Sequence, residues 1–358
     1  MTAGHRSQGE QGLTRRGLLG LGALGAVSAA GAVGMWKAAS GGATNTVSGT
    51  PTATGPVEPA PPSATPSPFA AAGNLTKLGG AVPFTAGKAL LGSYLGLKGM
   101  SYPEAVRYRR KQLGRDHRIA HVFYAWPDRL PTSIEGMPKK AIPMVSWRGP
   151  KYDKILSGDS DDLIAAAARR IKELDRPTLL RWGWEMNGRW YEWGGFQNKR
   201  NPEGYVKCFR YLREIFDDQG AGNVSWVWSP NWNSSPDEDW NRMEAYYPGD
   251  DFVDWVGVSG YNLQQESPAT LFDPVYQRYA PRKPLMITEI GAKDHGGTSK
   301  ADWITDFSEY VAQRPAIGAS VWFDTDTHPN YPEAWRFDTD PQSAAAYRAM
   351  ATSPRFSA

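Results

Sequence analysis

The chain has little cysteine, little net charge and no grouping of histidines. Its single cysteine, Cys208, excludes a disulfide framework and any zinc or iron–sulfur site made of several cysteines. The five histidines are scattered, and none is spaced like a pair of metal ligands. A formal net charge of +3 on 358 residues argues against a nucleic-acid-binding protein, which needs a basic face for phosphates. We therefore expect neither a metal site nor a nucleic-acid partner.

The first 72 residues are expected to precede the folded domain. Arg15 and Arg16 stand directly before an uncharged, glycine-containing stretch at 17–36, so residues 1–40 are typical of a twin-arginine export signal. A membrane anchor is the alternative, because a stretch of this length can span a bilayer. Residues 41–72 hold seven prolines and one charge, a composition typical of an extended linker. We expect an exported protein that is either released or tethered at the cell surface.

Residues 73–358 are expected to form one (β/α)8 barrel. Apolar runs that are typical of strands covered on both faces lie at Ala89–Tyr94, Ile119–Tyr124, Ile142–Trp147, Thr178–Trp184, Val224–Ser229, Trp255–Ser259, Leu285–Glu289 and Ala319–Phe323. Helical patterns lie between and after them at Tyr102–Leu113, Asp161–Glu173, Glu203–Gln219, Lys300–Gln313 and Pro341–Met350. An open doubly wound sheet is the alternative, but the glycine-rich first turn of that fold is absent.

The C-terminal ends of barrel strands carry active sites, and here they are rich in aromatic, amide and carboxylate side chains. These residues are Tyr94, Trp126, Trp147, Glu185, Asn231, Tyr261, Glu289 and Trp322. Sugar rings stack their apolar faces on indole and phenol rings, while their hydroxyls need polar partners. The chain, with 15 Trp and 16 Tyr, is therefore predicted to bind carbohydrate.

Two of these strand ends carry a glutamate. Glu185 follows the fourth predicted strand in RWGWEMNGRWYEWGG, and Glu289 ends the seventh in PLMITEIGA. Glycoside cleavage needs such a pair, because one carboxylic acid protonates the leaving oxygen while the other carboxylate attacks the anomeric carbon or activates water. Carboxyl groups about 5–5.5 Å apart would make the reaction retaining. Glu192 lies further along the same loop and is interpreted as support for the loop.

Tryptophans outside the strands are predicted to line a glycan cleft. Trp190, Trp193 and Trp232 follow strand ends in predicted loops, where a bulky apolar ring has no obvious packing role. Trp226 and Trp228 lie two apart in one strand and face the same way, so core packing is expected for at least one of them.

Several motifs together resemble glycoside hydrolase family 26, which contains β-mannanases, mixed-linkage glucanases and β-1,3-xylanases. They are WEMNGRWYEW (184–193), VWSPN (227–231), YYPGDDFVDWVGVSGYN (246–262), ITEIGA (287–292) and VWFD (321–324). Each segment is weak alone, but the combination is specific and runs over nearly the whole predicted barrel. The resemblance implies a (β/α)8 fold, a retaining mechanism, and no metal or organic cofactor.

The resemblance also implies a role for individual residues. Glu185 corresponds to the acid/base and Glu289 to the nucleophile. The substrate-binding positions it implies are Arg181 at the start of the fourth-strand motif, Trp184, Asn187, Trp190 and Trp193 in the loop after it, Asn231, Tyr261 beside the nucleophile, Trp322 as a stacking platform, and Trp147.

The chain departs from the family pattern at two positions. Family members commonly carry His directly before the acid/base, and here that residue is Trp184; mannanases often have His where this chain has Trp147-Arg148. An indole can only donate one N–H, so the expected sugar contacts differ. Arg148 either meets an acidic or substituted sugar or pairs with a neighbouring acid. His295 and His328 follow the seventh and eighth strands and either bind sugar hydroxyls or are exposed loop residues.

The function expected from these features is that of an exported, retaining endo-β-glycosidase, with β-1,4-mannan as the first-choice substrate. A mixed-linkage β-1,3-1,4-glucanase or a β-1,3-xylanase is the alternative within the family. A non-catalytic glycan-binding protein, or a metal-dependent hydrolase or oxidoreductase, is the alternative outside it. A polysaccharide is the expected partner, and a monomer is the default.

Overall fold

The structure is a computed structural model, and it describes residues 79–326 and 333–357. The predicted export signal, the predicted linker, the first few residues assigned to the barrel domain, and His328 lie outside the described residues. None of the helices in the described part of the chain has the length and apolar character needed to cross a membrane.

Eight parallel strands close into a barrel in the order in which they occur along the chain. They are β1 (Leu90–Gly96), β2 (Ile119–Tyr124), β3 (Ile142–Trp147), β4 (Thr178–Trp182), β5 (Val224–Trp228), β6 (Trp255–Asn262), β7 (Leu285–Ala292) and β8 (Ile317–Thr325). The ring is completed by the pairing of β1 with β8. This confirms the predicted (β/α)8 fold and excludes the open sheet.

Helices cover the outside of the barrel. They are α1 (Tyr102–Leu113), α2 (Asp153–Leu156), α3 (Asp161–Glu173), α4 (Pro202–Asp218), α5 (Pro268–Tyr279), α6 (Ser299–Ala312) and α7 (Pro341–Thr352). The bounds of α1 and α3 match the prediction. Helix α5 was not among the predicted stretches, because Pro274 lies inside it.

The barrel interior is filled in layers. Near the N-terminal ends of the strands, an apolar layer contains Ile119, Met144, Leu179, Val227, Met286, Ala319 and Val321, and it is closed from below by Val82, Phe84 and Trp255. The outward-facing strand residues pack against the helices in a separate and larger core. Above this layer, toward the C-terminal mouth, the interior carries charged side chains such as Arg181 and Glu289, and the site lies there.

Candidate active site

A β-bulge in β7 turns Glu289 toward the barrel interior. The register between β6 and β7 shifts between Val258 and Ser259, so Thr288 is an extra residue on β7. Thr288 bonds to a serine of the β5 end inside the barrel, and the next residue, Glu289, also points inward, onto Arg181. Strict alternation along the strand would have sent one of the two side chains to the helix side. Strand β7 also continues to Ala292, so Glu289 lies within the strand and not at its end.

Glu185 stands in a turn beyond β4. The strand ends at Trp182, two residues earlier than predicted. Gly183 (φ +56°) and Glu185 (φ +53°) then adopt left-handed backbone conformations. The Glu185 amide donates to the Ser229 carbonyl at 2.8 Å, which holds the turn against the end of β5. A left-handed conformation costs a non-glycine residue about 1 kcal/mol or more and is typical of functional sites.

One guanidinium connects the two carboxyl groups. Arg181, on β4, forms a buried salt bridge with Glu289 and donates to Ser259 Oγ at 2.6 Å. The Ser259 hydroxyl in turn hydrogen-bonds to Glu185. Tyr261 OH donates to the second oxygen of Glu289 at 2.8 Å. The two glutamates, distant in sequence, therefore share one buried polar network at the barrel mouth.

The surroundings of the two carboxyl groups are unequal. Glu185 is 1% exposed and forms no salt bridge with another residue of the described ranges. Burial raises the pKa of the Glu185 carboxyl to about 8, and the negative charge of Glu289 adds to this effect, outweighing the opposite influence of Arg181. A carboxylic acid in such surroundings keeps its proton at neutral pH, as a general acid must. Glu289, with a guanidinium and a phenol on its two oxygens, is instead presented as an anion.

Trp190 orients the Glu185 carboxyl. Its indole Nε1 donates to Glu185 Oε2 at 2.9 Å, and the ring is half-buried at the mouth. The indole lies across Gly188, where an added Cβ would come within 2.4 Å of the ring. Glycine at 188 is therefore required for this close approach.

Trp184 and Trp193 form a buried wall behind Glu185. The Trp193 indole donates to the Trp184 carbonyl at 2.7 Å and stacks on Tyr191 with 4.2 Å between ring centroids. The Trp184 ring lies 5.2 Å from the Arg181 guanidinium carbon and 5.3 Å from the Phe123 ring. Both tryptophans are almost fully buried, so they shape the site from behind.

Further aromatic rings line the mouth beside Glu289. Tyr261 packs edge-on against Trp335 at 5.1 Å and Phe323 at 6.0 Å. Phe323 also stacks on Tyr94 at 4.9 Å. Of these, sequence reasoning had selected only Tyr94 and Tyr261. Phe323 had no separate signal beside its neighbour Trp322, and Trp335 lies in a segment after β8 that has no strand or helix pattern.

Asn187 and Asn231 brace the loops around Glu185. Asn187 Oδ1 accepts from the Asn231 amide at 2.8 Å, and its Nδ2 donates to the Asn231 carbonyl at 3.0 Å. Asn231 Nδ2 donates to Asn233. Asn187 is fully buried, so it ties the loop after β4 to the loop after β5.

Two of the predicted substrate-binding tryptophans point away from the mouth. Trp147 stacks on Trp126 at 4.4 Å and packs toward Phe216 of α4. Trp322 contacts Trp303 and Tyr347, and its Nε1 donates to the Trp335 carbonyl at 2.8 Å. Both rings are fully buried on the helix side of the barrel wall, because their strand neighbours Ser146 and Phe323 take the inward positions.

The remaining candidates lie at the rim or in the core. Glu192 and His295 are exposed, while Arg148 and Trp232 are half-buried just past β3 and β5. Trp226 and Trp228 both pack outward, against the rings of α4 and α5 and their neighbours.

Sequence reasoning missed three polar residues of the network. Ser259 joins Arg181 to Glu185, and Ser146 accepts from Arg181 at 3.3 Å. His121 contacts Ser146 at 2.7 Å. Serines in apolar strands carry no visible signal, and His121 lacks metal-ligand spacing. Within residues 79–326 and 333–357, no three His, Cys, Asp or Glu side chains are grouped so that they could hold a metal ion.

Comparison with known proteins relates the chain to β-glycan hydrolases. The sequence profile of glycosyl hydrolase family 26 matches residues 139–348, more than half of the chain. Endoglucanase H of Acetivibrio thermocellus is 30% identical over 262 residues, which cover 68% of this chain and 28% of that protein. A mannan endo-1,4-beta-mannosidase of Bacillus subtilis is 29% identical over 168 residues, which cover 45% of this chain and 41% of the relative. The chain thus matches less than half of either protein's length.

Solved structures support the fold. A GH26 beta-mannanase from Bacteroides ovatus superposes with a TM-score of 0.54 at 18% identity, covering 75% of this chain and 89% of the other. At this identity the likeness concerns the barrel alone.

Proposed function

The chain belongs to glycosyl hydrolase family 26 and is a glycoside hydrolase, and on that premise we propose that it is an exported endo-β-glycosidase that retains anomeric configuration. Glu289 attacks the anomeric carbon and forms a glycosyl–enzyme bond, while Glu185 gives its proton to the departing oxygen. Glu185 then takes a proton from water, the water oxygen bonds to the anomeric carbon, and the Glu289 carboxylate leaves.

The proposal rests on the different surroundings of the two glutamates. Glu185 is buried with a raised pKa, which suits the acid that must hold a proton before the first step. Glu289 forms a salt bridge with Arg181 and accepts a hydrogen bond from Tyr261, as expected for a carboxylate that acts as a nucleophile. After proton transfer the anionic Glu185 has the Trp190 indole and the Ser259 hydroxyl as donors, so it can act as a base in the second step.

The aromatic mouth supports a polysaccharide substrate. Tyr94, Phe123, Tyr261, Phe323 and Trp335 form a cluster around the nucleophile, and the half-buried Trp190 faces it across the acid/base. Rings of this kind stack on the apolar faces of sugars. The similarity to mannan endo-1,4-beta-mannosidases makes β-1,4-mannan the first substrate to test.

A glucan is the second candidate. The similarity to endoglucanase H extends over 262 residues, a longer match than the 168 residues of the mannosidases. Trp184 also stands where family members commonly carry a hydrogen-bonding imidazole, and its single N–H already donates to Tyr191 OH at 3.3 Å, so the sugar contacts differ from those of an imidazole. In this alternative the substrate is a mixed-linkage β-1,3-1,4-glucan, or a β-1,3-xylan, in place of mannan.

A glycan panel with product sizing tests the proposal. The full chain is incubated with β-mannan, mixed-linkage glucan, β-1,3-xylan and cellulose, and the reducing ends and oligosaccharide lengths are measured. We expect oligosaccharides from one backbone class, with the β-anomer released first by proton NMR. Binding without hydrolysis would contradict the proposal and favour a glycan-binding protein, and an initial α-anomer would contradict the retaining mechanism. Fractionation of the producing cells tests export, since a cytoplasmic pool alone would contradict it.

A further inference from the structure

A buried histidine that the reaction scheme does not use stands behind the nucleophile. We propose that His121, acting through Ser146, is a positioning residue that holds Arg181 in the orientation in which it grips Glu289. The inference rests on the proposed function for its kinetic consequences, but its geometry is independent of the substrate.

The side chains form a continuous hydrogen-bonded row across three neighbouring strands. His121 of β2 contacts Ser146 Oγ of β3 through Nε2 at 2.7 Å. Ser146 Oγ lies 3.3 Å from Arg181 Nη1 of β4, the same nitrogen that contacts Glu289. All of these side chains are at most 2% exposed, so water does not compete for the contacts.

The donors and acceptors along the row assign the histidine tautomer. A guanidinium can only donate, so Ser146 Oγ accepts from Arg181. In the arrangement that we propose, the Ser146 hydroxyl gives its own proton to His121 Nε2, and the ring proton is on Nδ1. Nδ1 has no hydrogen-bond partner among the described residues. This arrangement requires a neutral ring, because Nε2 must accept.

The charges around His121 keep the ring neutral. Burial lowers the pKa of His121 well below its ordinary value, and the adjacent Arg181 cation lowers it further. The ring is packed against Phe123 at 4.3 Å and Tyr94 at 6.0 Å, which offer no charge. The acidic groups nearby are Glu289 and Glu185, and Arg181 stands between His121 and Glu289.

The position of Arg181 matters because its guanidinium is connected to both glutamates. Nη1 contacts Glu289 while Nη2 reaches Ser259, the serine that bonds to Glu185. A rotated guanidinium would break both contacts together. Displacement of a catalytic constellation by about 1 Å can cost about 10²-fold in rate.

Two variants test the role of His121. His121→Leu removes the acceptor and is expected to lower kcat by about 10²-fold, equally on polymer and on an activated aryl glycoside, with KM little changed. His121→Gln places an amide oxygen near the position of Nε2 and should restore most of the activity.

His117 provides the matched control. It is a half-buried histidine whose pKa is also lowered by burial, but its ring lies by Tyr347, 3.5 Å from the phenol, away from the mouth. His117→Leu should leave kcat and KM unchanged. Thermal unfolding of each variant shows whether a loss of activity comes from unfolding. The inference is overturned if His121→Leu keeps the parent kcat, or if His121→Gln restores nothing while its fold is intact.

Two structural readouts work even if no glycan is cleaved. Nitrogen-15 NMR of the full chain should show His121 neutral and protonated on Nδ1 from about pH 5 to 8, the range in which an ordinary histidine titrates. A crystal structure of His121→Leu should show Arg181 turned away from Glu289. A ring protonated on Nε2, or an unmoved Arg181, overturns the inference; an inactive parent protein with both readouts as expected overturns only the proposed function.

Discussion

Two arginine–carboxylate clusters in the described part of the barrel differ in how directly their arginines contact the carboxyl groups. The mouth cluster consists of Arg181, Glu289 and Glu185. The wall cluster consists of Arg109 on α1, Asp324 at the end of β8, and Arg336 and Asp338 in the segment after β8. In the wall cluster Arg109 donates two hydrogen bonds of 2.7 Å to Asp324. Asp338 accepts hydrogen bonds from Arg109, Arg336 and Gln112.

The difference lies in which carboxyl groups an arginine contacts directly. In the wall cluster each aspartate has an arginine partner, because Arg336 also contacts Asp326 at 3.1 Å. These contacts hold the pKa of Asp338 well below its usual range, and burial raises the pKa of Asp324 only to about 6. In the mouth cluster Arg181 forms its salt bridge with Glu289, and burial together with the charge of Glu289 raises the pKa of Glu185 to about 8. A carboxyl group held by an arginine stays ionised at neutral pH, whereas a buried one without that contact keeps a proton that it can give away.

The wall cluster also supports residues at the barrel mouth. The segment it anchors contains Trp335, whose amide donates to the Thr325 carbonyl at 2.8 Å and whose ring packs on Tyr261. Tyr261 is the phenol that bonds to Glu289. Charge pairs on the wall therefore support the groups that hold Glu289.

Glu289→Gln should cause the largest loss. An amide cannot attack the anomeric carbon, so we expect kcat on the polymer to fall by at least about 10⁴-fold. Asp324→Asn is the matched change in the wall cluster and should leave the folded enzyme active. Turnover of both variants, with circular dichroism to confirm folding, checks the distinction. Equal losses in both variants would show that the two clusters do not differ in role.

Glu185→Ala should slow the polymer reaction by about 10²- to 10⁴-fold, the usual contribution of a general acid. The loss should be smaller on an aryl glycoside with a good leaving group, because that oxygen needs little protonation. Glu192→Ala, seven residues along the same loop and exposed, is the control and should change neither rate. The assignment of Glu185 is wrong if its removal costs no more on the polymer than on the activated substrate.

Arg109→Leu should destabilise the fold by about 3–5 kcal/mol, because it leaves Asp324 buried without its bidentate partner. Arg110→Leu, next to it on α1, removes a mostly exposed pair with Asp116 and should cost about 1 kcal/mol or less. Urea unfolding of both variants gives the difference. A similar cost for the two would mean that the wall cluster contributes no more than a surface pair.

The pH dependence of kcat/KM should show the raised pKa of the Glu185 carboxyl at the mouth. Because Glu185 must be protonated in the first step, activity should fall as the pH rises through about 8, the raised pKa of its carboxyl. Trp190→Phe removes an indole donor that favours the anionic form, so the alkaline limb should move modestly upward. A profile without an alkaline limb, or a downward move in Trp190→Phe, would contradict the role of Glu185.

Most of the secondary structure was predictable, with instructive exceptions. Helix α3 has its apolar residues at helical spacing and acids in its first turn, and its predicted and observed bounds agree. Helix α5 was missed because Pro274 lies inside it. The continuous apolar strands identified the barrel, but they concealed which residues face inward. Trp147 and Trp322 were therefore predicted at the site, and the structure places them against the helices.

The alternation of apolar runs and amphipathic helices is a local property of the chain, so the barrel, the strand before Glu185 and the strand that bears Glu289 could be identified without coordinates. The way these carboxyl groups meet depends on features with no local signature. A one-residue bulge directs both Thr288 and Glu289 inward, a left-handed turn presents Glu185, and Ser146, Ser259 and His121 complete the network around Arg181. Which side chains share one cation is settled only when distant strands come together, because burial and charge act through space and not along the chain.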